Sequence, residues 1–299
     1  MVVKAYAKIN WTLDITGCRP DGYHLLDMLM QPVSVHDVIS IARSASISLT
    51  GSGLPQPLDE SNLALRAARL LQAEAGTARG AAIHVDKRIP SRAGMGGGSA
   101  DAATVLVALD SFWGLGWPLS RLEALGLRLG ADVPFCIRGG LARVRGIGEV
   151  LSSLPCRTMY ELVILRPDTG LGTREVFQAW REPCRRPDTE NAYRAIESGN
   201  LPLLSQSAAN VLQPVAESMC PDIRACVSSL TGAGAALARM TGSGSAVYGV
   251  FGGADAADRA YSSLREKYNT VLRCRTQLTG VGTDAGDPAA APIPGSETS

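Results

Sequence analysis

A glycine-dense segment between a predicted strand and a predicted helix is the strongest sign of chemistry in the sequence. It runs from Pro90 to Ala103 in the order Pro-Ser-Arg-Ala-Gly-Met-Gly-Gly-Gly-Ser-Ala-Asp-Ala-Ala. Because glycine lacks a Cβ, several backbone N–H groups can point at one anion, and the helix start adds partial positive charge. The segment lacks the Gly-Lys-Ser/Thr of a Walker A loop, and Ser99 replaces the third glycine of the dinucleotide fingerprint. Phosphate binding is the preferred interpretation, with a flexible, capped loop as the alternative.

Lys8 and Asp132 are two charged residues that have both a structural and a chemical explanation. Lys8 lies in an otherwise apolar strand, where an ammonium is costly to bury without a partner. Taken alone, it is best explained as an edge-strand lysine that reaches solvent, and an anionic substrate or a catalytic carboxylate is the other explanation. Asp132 has small and apolar neighbours, so its carboxylate could accept a proton from a substrate hydroxyl. A helix cap or a turn explains this acid equally well.

Two further segments have the composition of loops that contact a ligand. Asp21-Gly22-Tyr23-His24 offers an aromatic ring that can stack on a flat base and an imidazole that can hydrogen-bond its edge. On its own, this segment is better explained as a surface turn. The second segment, Thr241 to Ser245, is small, polar and contains Gly242 and Gly244. It is either a simple hairpin connection or a cover over phosphates.

Alternating and helical hydrophobic patterns predict the elements that position these residues in the N-terminal half. We predict strands over Val2–Ala7, Trp11–Thr16, Leu25–Val33, Val38–Ile41, Ile47–Leu49, Ala81–Val85 and Leu141–Val144. We predict helices that start at Leu63, at about Ala100 and near Leu122. The glycine-dense segment therefore joins a strand to a helix.

The pattern restarts around residues 154–158, and we predict a domain boundary there. Helices are predicted near Thr173–Trp180, Glu190–Ile196, Leu201–Ala216, Pro221–Leu230 and Asp255–Tyr268, with strands over Tyr160–Leu165, Ala235–Arg239, Ala246–Phe251 and Thr270–Leu278. The predicted domains are residues 1–156 and 157–279, and residues 280–299 have the composition of a disordered tail. Strands come before helices rather than alternating strictly with them, which favours an α+β fold.

Composition excludes several classes of protein. The 299 residues contain 29 Lys and Arg against 28 Asp and Glu, so no basic field predicts binding to nucleic acid or to an anionic membrane. No apolar stretch has the length of a membrane span, and the start lacks the pattern of a signal peptide. The seven cysteines include no Cys-x-x-Cys pair, and the three histidines show no metal-ligand spacing. These features predict a cytoplasmic protein with reduced thiols and no histidine-based metal site.

Together, the segments above resemble the GHMP kinases, the superfamily of galactokinase, homoserine kinase, mevalonate kinase and phosphomevalonate kinase. The order is the same: a first strand with a lysine, a Pro-x-x-x-Gly-x-Gly loop and a late glycine loop. Within the superfamily, the sequence is most similar to the branch that acts on a diphosphocytidyl methylerythritol. The segments that carry the resemblance are Ala7–Asn10, Asp21–His24, Asn62–Leu63, Asp86–Pro90, Gly94–Ala103 and Leu129–Pro134.

The resemblance, which spans roughly Val3 to Leu278, implies a two-domain fold. The N-terminal domain would be like domain 2 of ribosomal protein S5, and the C-terminal domain would be ferredoxin-like. ATP and a small-molecule diphosphocytidyl substrate would meet in the cleft between them. The γ-phosphoryl of ATP would move to the tertiary 2-hydroxyl of the methylerythritol moiety with Mg²⁺ present, a step of non-mevalonate isoprenoid precursor synthesis. The protein would be a monomer or a homodimer.

The resemblance also implies roles for individual residues. Asp132 would be the base that orients or deprotonates the hydroxyl, and Lys8 beside it would stabilise charge on the transferring oxygens. The residues implied to bind ATP are Asn62, Lys87, Pro90, Gly94, Gly96, Gly97, Gly98, Ser99, Gly242 and Gly244. The residues implied to bind the substrate are Asn10, Tyr23, His24, Thr173 and Phe177.

The glycine segment departs from the superfamily pattern at one point. Many members carry two adjacent serines after Gly-x-Gly, whereas this chain has Gly97 and Gly98, and the hydroxyl comes at Ser99. The protein ligands of magnesium are therefore not assigned, and ATP oxygens and water could supply most of its shell. Two other hypotheses remain: another alcohol kinase of the superfamily, or a non-catalytic ATP-binding regulator with this fold.

Overall fold

The computed structural model describes residues 1–182 and 185–283 of the chain. Cys184 and positions 284–299 of the predicted tail lie outside these residues. The N-terminal half contains, in chain order, β1 (Val2–Cys18), β2 (His24–Ser44), β3 (Ile47–Gly53), α1 (Leu63–Glu74), β4 (Gly80–Lys87), α2 (Gly97–Trp113), α3 (Leu119–Leu127), α4 (Val133–Arg138), β5 (Leu141–Gly146) and β6 (Val150–Leu154).

The first two strands are long, and each merges two predicted strands into one. β1 pairs with β2 in antiparallel register, but the register shifts between Tyr6 and Lys8 and again between Asn10 and Thr12. Such bulges interrupt the alternation that sequence patterns depend on, which is why the predicted strands stopped at Ala7 and restarted at Trp11. Bulges also redirect side chains, and Lys8 and Asn10 lie between the two shifts.

A short last strand, β11 (Val281–Thr283), completes the N-terminal sheet. The sheet has the order β11-β1-β2-β4-β3, and β5 pairs with β2 and with β6. β11 pairs antiparallel with Val3 to Ala5 of β1. The prediction that disorder begins at Gly280 is therefore wrong for residues 281–283, because the open edge of β1 supplies hydrogen-bond partners for them.

The C-terminal half contains β7 (Glu161–Arg166), α5 (Thr173–Ala179), α6 (Thr189–Ser198), α7 (Leu201–Ser207), α8 (Gln213–Met219), α9 (Asp222–Gly232), β8 (Leu237–Met240), β9 (Val247–Phe251), α10 (Ala254–Leu264) and β10 (Thr270–Arg275). Its sheet has the order β10-β7-β9-β8, and all the pairs are antiparallel. With helices between β7 and β8 and between β9 and β10, this is the ferredoxin-like βαββαβ arrangement. The predicted α+β class is confirmed.

The single helix predicted over Leu201–Ala216 is wrong, because the chain leaves the helical path between α7 and α8. Asn210 forms a bridge with Leu13 of β1, and Leu13 N–H donates to the Ala209 carbonyl at 3.0 Å. Pro214 stands at the start of α8, where its missing N–H and fixed φ favour a helix beginning rather than a helix interior. The break carries the chain alongside Leu13 of β1.

The two halves share one core rather than two. Trp11 of β1 packs edge-on against Tyr160 and Tyr248, with ring centroids 5.2 and 5.7 Å apart. Beyond β10, Gln277 N–H donates to the Pro32 carbonyl at 2.7 Å, which joins the end of the C-terminal half to β2. No helix within residues 1–182 and 185–283 has the length and apolar character needed to cross a bilayer.

Candidate active site

The glycine-dense segment forms the start of α2 and leaves that start free to bind an anion. Gly96 precedes the helix with φ 69°, and no side chain caps the first turn. The first N–H groups of a helix have no partner within it, so those of Gly97 to Ser99 are available to a ligand. Gly94 has φ 71°, and a Cβ there would lie 2.1 Å from the Thr241 carbonyl oxygen, so only glycine fits.

Lys8 and Asp132 meet at the mouth of this loop. The Lys8 Nζ lies 3.6 Å from Asp132 Oδ2 and donates a 2.7 Å hydrogen bond to Asn10 Oδ1. Lys8 is 3% exposed, so the explanation of an edge-strand lysine in solvent is wrong. Asp132 precedes α4 but makes no capping hydrogen bond, and its side chain is 32% exposed. The explanation as a helix cap is therefore wrong too, and the carboxylate is open to a substrate.

The Asp132 carboxylate also lies close to the loop Gly94–Ser99, which we call the phosphate loop after its predicted role. A Cβ on Gly96 would be 3.7 Å from Asp132 Oδ2 and 3.1 Å from the Lys8 Cγ. Residues from β1, from the start of α2 and from the segment before α4 therefore converge on one point. On β1, the bulges on either side of Lys8 and Asn10 allow these two side chains to reach that point.

The loop from Thr241 to Ser245 packs directly on the phosphate loop. It joins β8 to β9, and a Cβ on Gly242 would lie 2.7 Å from the Gly94 carbonyl oxygen and 3.2 Å from Lys8 Nζ. Ser245 N–H donates to the Arg92 carbonyl, and Ala246 N–H donates to the Ala93 carbonyl, both at 3.2 Å. The loop is thus both a hairpin connection and a wall of the site.

The structure corrects the prediction that Gly244 contacts ATP. It does not line the cleft, and a Cβ there would lie 2.8 Å from the Met240 Sδ. Its φ of 89° lies in the left-handed region, so glycine at this position serves the turn of the hairpin rather than a ligand. Ser243, which sequence reasoning missed, lines the cleft instead and hydrogen-bonds the Thr173 hydroxyl at 2.9 Å.

Aromatic side chains line another part of the same cleft. The His24 ring lies 5.4 Å from the Phe177 ring and 5.9 Å from the Trp180 ring, measured between centroids. Tyr23 is 61% exposed and lines the cleft beside them. An exposed tyrosine next to a packed aromatic group offers a surface on which a flat ring can stack. Trp180 could not be assigned to the site from the sequence, because nothing distinguishes a lone tryptophan at the end of a predicted helix from a packing residue.

Lys87 and Asn62 line the cleft, but their polar atoms are already bonded to the protein. Lys87 Nζ lies 2.5 Å from both Asp37 Oδ2 and Asp101 Oδ2. Asn62 caps α1, since its Oδ1 accepts from Ala64 N–H at 2.8 Å. As ATP-binding residues, both side chains remain predictions, and the structure gives each of them a supporting role.

The group of Asp37, Lys87 and Asp101 holds the strand before the phosphate loop against the helix after it. Asp37 Oδ1 accepts from Arg88 N–H at 2.5 Å and from Ile89 N–H at 2.7 Å. Burial, together with the charge of Asp37, raises the pKa of Asp101 to about 8. Burial opposes the charge of Lys87, but the two carboxylates outweigh it and raise the pKa of the ammonium. One ammonium between two carboxyl groups is thus balanced when Asp101 is protonated.

The predicted site residues other than Gly244 line one cleft of about 1370 Å³, together with Asp101 and Ser243. Asp37 does not line it. Trp180 stands behind His24 and does not line it either. Within the described part of the chain, no cluster of three or more His, Cys, Asp and Glu side chains has metal-binding geometry. Side-chain oxygens that could bind a cation beside this loop include the Asp132 carboxylate and the Ser99 hydroxyl, and Ser99 Oγ lies 3.9 Å from the Cβ position of Gly130. This donor set fits Mg²⁺, which keeps several waters and binds through phosphates plus one or two protein oxygens.

Comparisons with known proteins agree with this geometry. Residues 62–140 match the family described as GHMP kinases N terminal domain, and residues 192–270 match GHMP kinases C terminal. The chain is 38% identical to a 4-diphosphocytidyl-2-C-methyl-D-erythritol kinase of Clostridium tetani, over 92% of this chain and all of that protein. It is 40% identical to the kinase of the same name from Pelotomaculum thermopropionicum, over 91% and 96%.

Solved structures show the same similarity. A crystal structure of 4-(cytidine 5'-diphospho)-2C-methyl-D-erythritol kinase superposes with a TM-score of 0.80 at 33% identity, covering 95% of this chain and 100% of that chain. A homoserine kinase from Cytophaga hutchinsonii has a TM-score of 0.74 at 16% identity, covering 94% and 96%, and shows the shared fold. With both family domains matched and relatives 38–40% identical over more than 90% of its length, the chain belongs to the GHMP kinases.

Proposed function

We propose that this protein transfers the γ-phosphoryl of ATP to the 2-hydroxyl of 4-diphosphocytidyl-2-C-methyl-D-erythritol, a step of non-mevalonate isoprenoid precursor synthesis. The observation that carries the proposal is the approach of Lys8 Nζ to within 3.6 Å of Asp132 Oδ2 beside the uncapped start of α2. A bound triphosphate at that helix start places its terminal phosphorus next to an acid and a cation. Phosphoryl transfer depends mainly on this alignment and on stabilisation of charge.

The chemistry follows from these positions. The acceptor hydroxyl oxygen bonds to the γ-phosphorus, the bond between that phosphorus and the β,γ-bridging oxygen breaks, and ADP leaves. Asp132 orients the hydroxyl and takes its proton. Lys8 stabilises the negative charge on the transferring oxygens, and the free N–H groups of Gly97 to Ser99 hold the phosphates. Asn10 keeps Lys8 in place through the 2.7 Å hydrogen bond.

Magnesium would be held at the phosphate loop by the phosphates, by water and by oxygen donors among Ser99 and Asp132. When bound, Mg²⁺ neutralises part of the charge on the transferring group. The loop N–H groups and Lys8 contribute positive charge at the same place, so the chain itself provides much of the stabilisation. This assignment of donors is part of the proposal.

The aromatic part of the cleft supports a pyrimidine-bearing acceptor. Tyr23 presents an exposed ring, and His24 lies against Phe177, so a cytosine ring can stack there while the imidazole meets its polar edge. Thr173 lies on the same helix as Phe177 and is fixed to Ser243. The acceptor would extend from this aromatic group to Asp132.

The test is ADP release with four acceptors: the diphosphocytidyl compound, mevalonate, homoserine and galactose. We expect turnover with the first alone. A preference for any of the other three would overturn the substrate assignment and keep a kinase of the same superfamily. Nucleotide binding without turnover of any acceptor would favour a non-catalytic regulator.

A substitution at Tyr23 tests recognition of the pyrimidine. Because stacking of one base on an aromatic side chain contributes about 1–3 kcal/mol, Tyr23→Ala should raise the KM for the diphosphocytidyl acceptor by about fivefold to 150-fold. Tyr261→Ala, which removes a tyrosine outside the cleft, should leave it unaltered. An unchanged KM in Tyr23→Ala would argue against cytosine stacking at this residue.

A further inference from the structure

Two arginines of the cleft, Arg92 and Arg174, have guanidinium groups without a partner among the residues that the structure describes. Other cations that line the cleft are paired: Lys8 with Asp132, Lys87 with Asp37 and Asp101, and Arg128 with Glu74. Within residues 1–182 and 185–283, neither the Arg92 nor the Arg174 side chain makes an ion pair or a hydrogen bond. Both residues are exposed and line the cleft. Positive charge is therefore available there for an anionic ligand.

Arg92 stands at a backbone position that suits glycine. Its φ is 51°, and among the described residues it is the one non-glycine residue with a positive φ. A side chain in this region is strained, and such strain persists mainly at ligand sites, where it serves binding or catalysis. The Arg92 Cβ lies 2.8 Å from the Cβ position of Gly170, so its stem lies against the segment that leads into α5.

Arg174 belongs to α5 and stands three residues before Phe177. Residues three apart lie on the same face of a helix, and both of these line the cleft. Phe177 in turn contacts the His24 ring. The two arginines thus flank the short segment between Gly170 and α5, next to the aromatic group proposed to hold the pyrimidine.

We propose that Arg92 and Arg174 bind the diphosphate of the acceptor rather than the phosphates of ATP. This inference depends on the proposed function, in which two polyanions share one cleft. The free N–H groups at the start of α2 serve ATP, whereas the acceptor diphosphate lies between the aromatic group and Asp132. A guanidinium binds phosphate oxygens through two parallel hydrogen bonds, which suits this task better than an ammonium.

The experiment compares Arg92→Gly, Arg174→Ala and the double variant with the parent protein. Each single variant should raise the KM for the diphosphocytidyl acceptor about tenfold, the loss expected for one charge-assisted contact, and leave the KM for ATP unchanged. Arg92→Gly relieves the strained φ, so it should unfold at or above the parent temperature. A stable protein with a weakened acceptor site separates ligand binding from folding.

Inhibition by two probes identifies the group that the arginines contact. Cytidine 5'-diphosphate should inhibit both variants about tenfold more weakly than the parent protein, whereas cytidine should inhibit all of them equally. Arg224→Ala, which removes an exposed arginine outside the cleft, controls for the change of net charge and should match the parent.

Three results would overturn the inference: an unchanged acceptor KM in both variants, a rise in the KM for ATP instead, or equal losses with cytidine and its diphosphate. These failures differ from failure of the proposed function. If the parent protein does not phosphorylate the diphosphocytidyl acceptor, the proposed function is wrong. If the parent does so and the variants match it, only the role of the two arginines is wrong.

Discussion

At the scale of single residues, the site depends on which charges are free and which are paired. Asp132 has the position of a helix cap but leaves its carboxylate to the cleft, while Lys87 has the position of a nucleotide contact but gives its ammonium to two buried carboxylates. Both assignments follow from hydrogen-bond partners and not from residue type. A lysine bonded on both sides supports the loop, and an acid without a capping bond is available for proton transfer.

Removing the carboxylate charge of Asp132 tests its part in the transfer. We expect Asp132→Asn to lower kcat by about 10²–10⁴-fold, the usual contribution of a positioned base, because an amide cannot accept the hydroxyl proton. ATP should still bind, since the N–H groups of the loop are unaltered. ADP release together with equilibrium nucleotide binding measures both effects, and an intact kcat would remove Asp132 from the mechanism.

Two substitutions in the buried group of Asp37, Lys87 and Asp101 should differ in how much they lower the stability of the fold. Lys87→Met leaves two buried carboxyl groups without a cation and should destabilise the fold by about 3–5 kcal/mol. Asp101→Asn keeps the shape and the neutral charge of the protonated acid and should cost far less. Denaturant unfolding at neutral pH compares them, and equal losses would mean that Asp101 is ionised in the folded protein.

Asp101 also makes the free energy of unfolding depend on pH. The folded pKa of Asp101 is raised from the ordinary 3.8 to about 8, so between these values the folded state holds a proton that the unfolded chain has released. The stabilisation is fully present at the acid end and is lost as the pH rises through this window. Asp101→Asn cannot titrate, so its unfolding free energy should rise relative to the parent across the window. A constant difference would contradict the raised pKa.

At the scale of elements, two glycine loops from different halves of the chain contact each other at the proposed phosphate site. Gly94→Ala should place a Cβ 2.1 Å from the Thr241 carbonyl and push the loops apart. Gly114→Ala is the matched control, because Gly114 has φ 65° but open space around its Cβ position. Gly114→Ala should show backbone strain alone, about 1–2 kcal/mol, while Gly94→Ala should cost more and also weaken ATP binding. Equal effects would exclude a role for the loop contact.

Sequence patterns predicted which helices and strands form better than they predicted where each one begins and ends. The glycine-dense loop between β4 and α2, the strand that carries Lys8 and the acid before α4 could be predicted, because each is a local signal. The bulges around Lys8, the break between α7 and α8, and β11 could not, because they depend on pairing with residues far along the chain. Asp37 was missed for the same reason, since it stands 50 residues from Lys87 and has no local signal.

At the scale of the whole molecule, the predicted boundary between residues 156 and 157 separates two sheets but not two cores. Trp11 from the first half is enclosed by Tyr160 and Tyr248 from the second, and β11 returns the chain to the first sheet. We therefore expect both halves to unfold together. The oligomeric state, monomer or homodimer, and the cytoplasmic location remain predictions.

Trp11→Ala tests this shared core. Truncating a fully buried tryptophan should lower stability by about 3–5 kcal/mol, because it removes apolar contacts and leaves a cavity. Unfolding followed by far-ultraviolet circular dichroism and by tryptophan fluorescence should still give one coincident transition. Trp117→Ala, at a partly exposed position beside Arg121, should cost much less. Two separate transitions in the parent protein would contradict a common core.

The backbone hydrogen bonds from Ser245 to Arg92 and from Ala246 to Ala93 have a further consequence for turnover. A wide hinge motion of one half against the other would have to break these two bonds, so we expect the two loops to move together during turnover. If the two loops stay joined, the entropy of ordering the proposed triphosphate site is lost during folding instead of in every cycle. We then expect entry and exit to depend on smaller movements of the rim, where Tyr23 lies exposed.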